Sequence, residues 1–161
     1  VTAAALPAGW AASNPEPGDG IMWVTTTTNA DTAPNAAFIN DQDGVSDKVL
    51  DSGPITISSA SAQITFRNNF NTEFSDGVYW DGGVLEVSSP NINGGAFTDV
   101  TNPAIGGGFV AGGYTGQISV DASNPLAPAG SLPVAAGAFS IALPARSATL
   151  AGSSRCSRRT S

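Results

Sequence analysis

The chain contains no histidine, and its 161 residues include a single cysteine, Cys156. The lack of histidine excludes Ser-His-Asp and Cys-His catalysis, His-ligated zinc and the commonest general base near neutral pH. One cysteine cannot form an intrachain disulfide. Charged residues make up only 12% of the chain, and no apolar run approaches the length of a membrane span. The sequence therefore predicts neither a histidine-dependent enzyme nor a membrane-spanning segment.

Basic residues are scarce over most of the chain. Residues 1–145 hold all 13 acidic residues and only two bases, Lys48 and Arg67, whereas residues 146–161 hold four arginines and no acid. An acidic body repels nucleic acids and anionic membranes, and it favours cations, calcium in particular, or neutral polymers. Simple solubility is the alternative explanation of this charge. We expect no nucleic-acid partner.

Glycine and proline, with 19 and 11 residues, recur along the chain, and few windows show a helical apolar period. Short β-branched or alternating segments at a spacing of roughly 8–12 residues predict an all-β protein, a jelly roll or β-sandwich. This composition is typical of secreted β-proteins, so we expect an extracellular location. The predicted strands, in chain order, are Ile21–Thr28, Ala36–Ile39, Ile55–Ile57, Ile64–Phe70, Val84–Ser88, Ala96–Val100, Phe109–Val110, Gly116–Val120 and Ala138–Leu143.

The stretch from Ile64 to Ser88 is the centre of this prediction. It has two apolar segments joined by a polar, acidic connection that contains Asp76-Gly77 and Asp81-Gly82-Gly83. Asp-Gly and Gly-Gly are strong turn signals because glycine accepts a positive φ without steric conflict. The pattern predicts a β-hairpin in which the strand beginning at Ile64 pairs with the strand at Val84–Ser88.

The last residues differ in composition from the rest. We expect a single β-sandwich domain over residues 1–145 and, over 146–161, a flexible Arg- and Ser-rich tail or a stretch foreign to the domain. If the residues after about Leu150 were not native to the domain, the domain would lack its final strands. An open sheet edge would then favour self-association with another chain.

An ordered series of motifs resembles the MAM-like, adhesin-type jelly-roll domains of bacterial extracellular proteins, including secreted peptidases. The resemblance covers about residues 6–145. It implies a jelly roll attached to a larger secreted protein, and such modules accompany many activities. The motifs are Leu6–Trp10 (LPAGW), Asn35–Phe38 (NAAF), Ser46–Ser52 (SDKVLDS), Thr65–Glu73 (TFRNNFNTE), Asp81–Ser88 (DGGVLEVS), Gly94–Val100 (GGAFTDV), Gly112–Gly116 (GGYTG) and Asn124–Leu126 (NPL).

Two departures from that family pattern stand out. Asn68 occupies the position of the usual histidine, and the closing strands of the family, one with Arg and Trp and one resembling GWxxDD, are absent. The second departure agrees with a domain that lacks its last strands.

The densest acidic segment predicts a calcium site made by Asp41, Asp43, Asp47 and Asp51. Calcium takes six to eight oxygen ligands, which a turning loop can supply. An EF-hand does not fit, because Val45 and Ser52 would occupy its fifth and twelfth positions. The family resemblance also implies a structural calcium. A solvated turn is the alternative.

A second acidic group, which includes Glu73 and Glu86, suggests a glycosidase-like hydrolase as an alternative function. That interpretation depends on residue type alone. The resemblance to MAM-like domains implies that both residues are structural. A further alternative is that the chain is a fragment of a secreted peptidase.

Four aromatic residues, Trp23, Tyr79, Trp80 and Tyr114, are candidates for a sugar-stacking platform. Their alternative role is core packing, since large aromatic side chains usually bury. Our interpretation is a non-catalytic accessory module of a secreted bacterial protein. It would bind a polysaccharide, a cell surface or a protein ligand, and calcium would stabilise it.

Overall fold

The computed structural model describes residues 5–16, 20–40, 45–59, 61–120, 124–126, 137–143 and 148–157. Within these ranges the chain is built from strands, with two single-turn 3₁₀ helices at Asn93–Gly95 and Pro103–Ile105. The strands are β1 (Ala11–Ser13), β2 (Val24–Thr26), β3 (Ala36–Phe38), β4 (Lys48–Asp51), β5 (Ile55–Ile57), β6 (Ala62–Asn68), β7 (Phe74–Ser75), β8 (Val78–Tyr79), β9 (Gly82–Ser88), β10 (Thr98–Asp99), β11 (Gly108–Ala111), β12 (Gly137–Leu143) and β13 (Ala148–Ser157).

The strands form four antiparallel sheets in the described part of the chain. The largest has the order β1-β4-β13-β9-β10, and β5 pairs with the first part of β13. A three-stranded sheet has the order β11-β12-β6, and β2–β3 and β7–β8 are separate two-stranded pairs. The all-β prediction is confirmed. The sheets are small and do not close, so a jelly roll is not established.

Strand β9 lies at the centre of the apolar core. Val87 belongs to a buried cluster with Ile57, Val100 and Ile105, against which the side chains of β6 and β11 pack. Val84 belongs to a second cluster, with Ile118 and Leu126. Burying each such side chain contributes about 1.5–3 kcal/mol. Both faces of β9 therefore contact apolar clusters, and each of its residues is buried or half-buried.

The predicted pairing of the strand at Ile64 with the strand at Val84–Ser88 is wrong. Strand β6 pairs with β12, in register Ile64↔Ile141, and β9 pairs with β13 and β10. Both strands exist where the sequence predicts them, but they belong to different sheets. Period-two alternation identifies the face that a strand buries and does not identify its partner.

The predicted flexible tail contains a strand. Ala148–Ser157 forms β13, which lies between β4 and β9 and pairs with Gly82–Ser88 along its second part. Its Arg- and Ser-rich composition predicts a tail, but strand pairing depends on backbone hydrogen bonds that any non-proline residue can make. The 1–145 boundary and self-association through an open edge stay predictions. No helix in the described ranges is long and apolar enough to cross a membrane.

Candidate functional site

A small hairpin, β7–β8, projects an aromatic pair from the connection between β6 and β9. Its turn is Asp76-Gly77, with φ of 54° and 78°. Positive φ at both central residues is the type I′ geometry, whose twist matches that of the paired strands. The turn places Phe74 directly opposite Tyr79. The Asp-Gly turn signal is confirmed, and it joins two strands that the sequence did not predict.

The two rings pack on each other on one face of this hairpin. Their centroids are 4.5 Å apart and their planes are tilted by 43°. Phe74 is 55% exposed, whereas Tyr79 is half-buried. Cross-strand aromatic pairs stabilise a sheet, and offset or tilted ring pairs are favourable. We call residues 73–81 the aromatic hairpin, and Phe74 is its outer ring.

The base of the aromatic hairpin is held by hydrogen bonds. Asp81 is completely buried, and its Oδ2 accepts a hydrogen bond from the backbone N–H of Glu73 at 3.0 Å. The backbone N–H of Trp80 donates to the Glu73 carbonyl at 3.1 Å, and the Trp80 carbonyl accepts from Asn124 Nδ2 at 2.8 Å. The indole Nε1 of Trp80 donates to Ser75 Oγ at 2.8 Å. The aromatic rings are thus presented on an anchored support.

The four aromatic residues predicted as one platform contact different strands. Trp23 donates from Nε1 to the carbonyl of Lys48 on β4 at 2.9 Å. Tyr114 contacts β9 and β10, which β13 separates from β4 in the sheet. Tyr79 and Trp80 lie together in the aromatic hairpin. Tyr79 and Trp80 thus share the hairpin, whereas the hydrogen bonds of Trp23 and Tyr114 go to other strands, and a single platform of all four stays a prediction.

Tyr114 is tied into the core by its hydroxyl group. This group donates to Asp99 Oδ2 at 2.8 Å and accepts from the backbone N–H of Leu85 at 2.9 Å. Its ring packs edge-on against Phe109, with centroids 5.0 Å apart. Burial of the hydroxyl, together with the nearby Asp99 carboxylate, raises the pKa of Tyr114 well above its ordinary value of 10.0. This environment indicates a structural role.

Sequence reasoning missed Phe74, which the structure presents as the most exposed ring of the site. Its position in the sequence, two residues before an Asp-Gly turn, did contain the signal. A two-residue type I′ turn at Asp76-Gly77 pairs the second residue before it with the second residue after it, which is Tyr79. The register of the turn alone would have placed the two rings side by side.

The predicted calcium site is only partly within the described chain, because Asp41 and Asp43 lie outside the described residues. Asp47 is 6% exposed, and Asp51 ends β4. Asp47 and Asp51 are four residues apart, which in extended chain is roughly 13 Å. The oxygen ligands of one calcium ion each lie about 2.3–2.6 Å from it, and aspartate side chains are short. The geometry of β4 therefore separates Asp51 from any ion at Asp47. Among the described residues, no group of three acidic or sulfur-bearing side chains converges on a metal position.

The two carboxylates of the hydrolase alternative lie on different parts of the chain. Glu73 precedes β7 beside Asp81, and Glu86 lies within β9 opposite Asp99 on β10. Because Glu73 lies beside Asp81, its distance from Glu86 can be gauged from the five residues of extended chain between Asp81 and Glu86, which span roughly 16 Å. Glycosidase carboxylates lie about 5–9.5 Å apart. This arrangement gives the hydrolase alternative no support.

No family model, no curated protein and no solved structure matches the chain. The similarity to MAM-like domains therefore stays a prediction from the motifs.

Proposed function

We propose that this chain is a non-catalytic binding module that holds an uncharged polysaccharide on the aromatic hairpin. The observation that carries the proposal is the pair formed by Phe74 and Tyr79, in which a 55% exposed ring is packed on a second ring at 4.5 Å. An isolated exposed phenylalanine would need no explanation. An exposed ring backed by a second ring on an anchored hairpin is what an aromatic contact surface requires.

Anchoring adds to this argument because a binding surface gains affinity when it is ordered before the ligand arrives. Asp81, Trp80 and Asn124 fix the base of the hairpin by hydrogen bonds of 2.8–3.0 Å. The type I′ turn fixes its tip. The flat carbon-hydrogen face of a sugar ring can then pack on Phe74 with little loss of side-chain freedom.

The charge around the hairpin favours an uncharged ligand. Residues 73–81 hold no base, and two of their acidic residues, Glu73 and Asp76, reach the surface, whereas Asp81 is buried. Arg67, the nearest base earlier in the chain, forms an ion pair with Asp31 at 2.9 Å. Carboxylates near an apolar ring repel uronate or sulfated polymers, and they can accept hydrogen bonds from sugar hydroxyls. A protein or cell-surface ligand is the alternative partner.

The wider setting of the proposal comes from the sequence. A jelly-roll-like module in a secreted bacterial protein, stabilised by calcium, would place such a site beside a partner domain. The exposed aromatic pair supports a surface-binding role, and the MAM-like motifs are the reason for the extracellular setting.

The test is affinity electrophoresis against soluble neutral glucans, mannans and xylans, with a polyuronate for comparison. We expect retardation by at least one neutral polymer and none by the polyuronate. Phe74→Ala should weaken binding about tenfold, the effect of losing about 1.4 kcal/mol. Phe38→Ala is the matched control, because Phe38 is 46% exposed on β3. Equal losses of affinity in both variants, or no retardation of the wild-type protein by either type of polymer, would contradict the proposal.

A further inference from the structure

The Tyr79 ring has two close neighbours, the ring of Phe74 and the backbone at Gly116. A Cβ added to Gly116 would lie 2.6 Å from Cδ2 and 3.1 Å from Cζ of the Tyr79 ring, and closer still to Cε2. Carbon atoms that are not bonded pack at about 3.5–4.0 Å. The ring therefore occupies the space that any side chain at Gly116 would need.

Gly116 lies on a segment that is itself fixed. The backbone N–H of Ser119 donates to the Tyr79 carbonyl at 2.9 Å, and Ile118 forms a parallel bridge with Tyr79. Ile118 is almost completely buried, in the cluster with Val84 and Leu126. This segment cannot retreat from the hairpin without removing Ile118 from the core, so a clash at Gly116 must move the Tyr79 ring.

Movement of Tyr79 would pass directly to Phe74. The two residues are cross-strand partners with ring centroids 4.5 Å apart. Phe74 is the more exposed of the two, and Tyr79 is the surface on which it rests. The position of the Tyr79 ring against the Gly116 backbone therefore determines the orientation of the Phe74 ring.

We propose that Gly116 is a positioning residue for the polysaccharide site, acting through Tyr79 to orient Phe74. This inference rests on the proposed function of the aromatic hairpin. It assigns a role to the segment 116–119, which the sequence predicted only as a strand, and it explains why a glycine is required beside Tyr79.

Three variants test this role with the neutral polymer that binds the wild-type chain. Gly116→Ala should weaken binding about tenfold and shift the NMR signals of the Phe74 ring. Gly108→Ala is the matched control, because a Cβ at Gly108 would meet nothing within 4 Å. This change should leave both the polymer affinity and the Phe74 ring signals unchanged. In a Tyr79→Ala background, Gly116→Ala should cause no further loss of affinity, because the clashing ring is gone.

The outcomes separate this inference from the proposed function. If the wild-type chain binds no polymer, the proposed function fails, and the positioning role fails with it. If the wild-type chain binds and Gly116→Ala binds equally well, the positioning role alone is overturned. An additive loss in the Tyr79→Ala background would also overturn it. Should Gly116→Ala alone unfold, the double variant is expected to fold and to bind as Tyr79→Ala does, and any weaker binding would contradict the inference.

Discussion

The hydroxyl of Tyr114 lies 2.8 Å from Asp99 Oδ2, and one tyrosine thereby links the loop after β11 to β10. The same oxygen accepts from the backbone N–H of Leu85 on β9 at 2.9 Å. Asp99 in turn accepts from the backbone N–H of Thr101 at 2.7 Å. These bonds join three parts of the chain at the edge of the largest sheet.

Tyr114→Phe should lower the free energy of unfolding by about 1–3 kcal/mol. The change leaves the Leu85 N–H without its acceptor and removes a donor from Asp99, and a buried polar group that loses its partner is costly. Urea unfolding measures the effect. Tyr79→Phe is the control, because the described part of the chain offers the Tyr79 hydroxyl no hydrogen-bond partner; it should change stability by less than about 0.5 kcal/mol. Equal effects of the two changes would contradict this role.

The raised pKa of Tyr114 predicts a loss of stability in alkaline solution. The unfolded tyrosine ionises near its ordinary pKa of 10.0, whereas the folded one stays protonated above that pH. The contribution of Tyr114 to stability is therefore complete below about pH 10 and decreases as the pH rises beyond it, by up to about 1.4 kcal/mol per pH unit. Urea midpoints between about pH 9 and about pH 11 should show a steeper decline in the wild-type chain than in Tyr114→Phe. Parallel declines would contradict the prediction.

Strand positions were largely accessible from the sequence, and strand partners were not. The segments at Ile55–Ile57, Ala36–Ile39 and Ala138–Leu143 contain strands because β-branched or alternating residues suit a half-buried pleated surface. Pairing β9 with β13 joins residues far apart in the chain, and nothing in local alternation encodes that choice. The short strand β4 is hidden for another reason: Asp47 before it and Asp51 at its end suggest an acidic loop.

The candidate site was only partly predictable as well. Tyr79 and Trp80 were identified as aromatic residues beside a turn, and the structure keeps them in the hairpin. Phe74 was missed because its exposure depends on the register of the Asp-Gly turn. Trp23 and Tyr114 were included by residue type, which carries no information about distance between residues.

Gly77→Ala should destabilise the aromatic hairpin. Gly77 has a φ of 78°, in the left-handed region, and a non-glycine residue there costs about 1–2 kcal/mol. We expect weaker polymer binding in affinity electrophoresis, because the turn sets the register that places Phe74 opposite Tyr79. Gly94→Ala serves as the control, because Gly94 also has a positive φ, 64°, but lies in the 3₁₀ helix Asn93–Gly95 outside the hairpin. Retained affinity in Gly77→Ala would show that the turn does not hold the rings.

Calcium should raise the melting temperature, and a chelator should remove the rise, since a ligand bound only by the folded state stabilises it. Asp43→Asn or Asp47→Asn should abolish the shift, because each removes a carboxylate from the predicted acidic loop. Asp51→Asn should retain it, because Asp51 ends β4 away from that loop. A shift that survives Asp47→Asn, or the absence of any shift in the wild-type chain, would contradict calcium binding there.

The position of β13 has a consequence for the order of folding. This strand follows all the others in the described chain, yet it separates β4 from β9 in the largest sheet. Lys48 meets Cys156, a pairing across more than half of the sequence. Contacts of such long range form slowly, since a long loop must close before they can stabilise anything. Until they form, β4 and β9 present open edges, and association between nascent chains competes with folding during that interval.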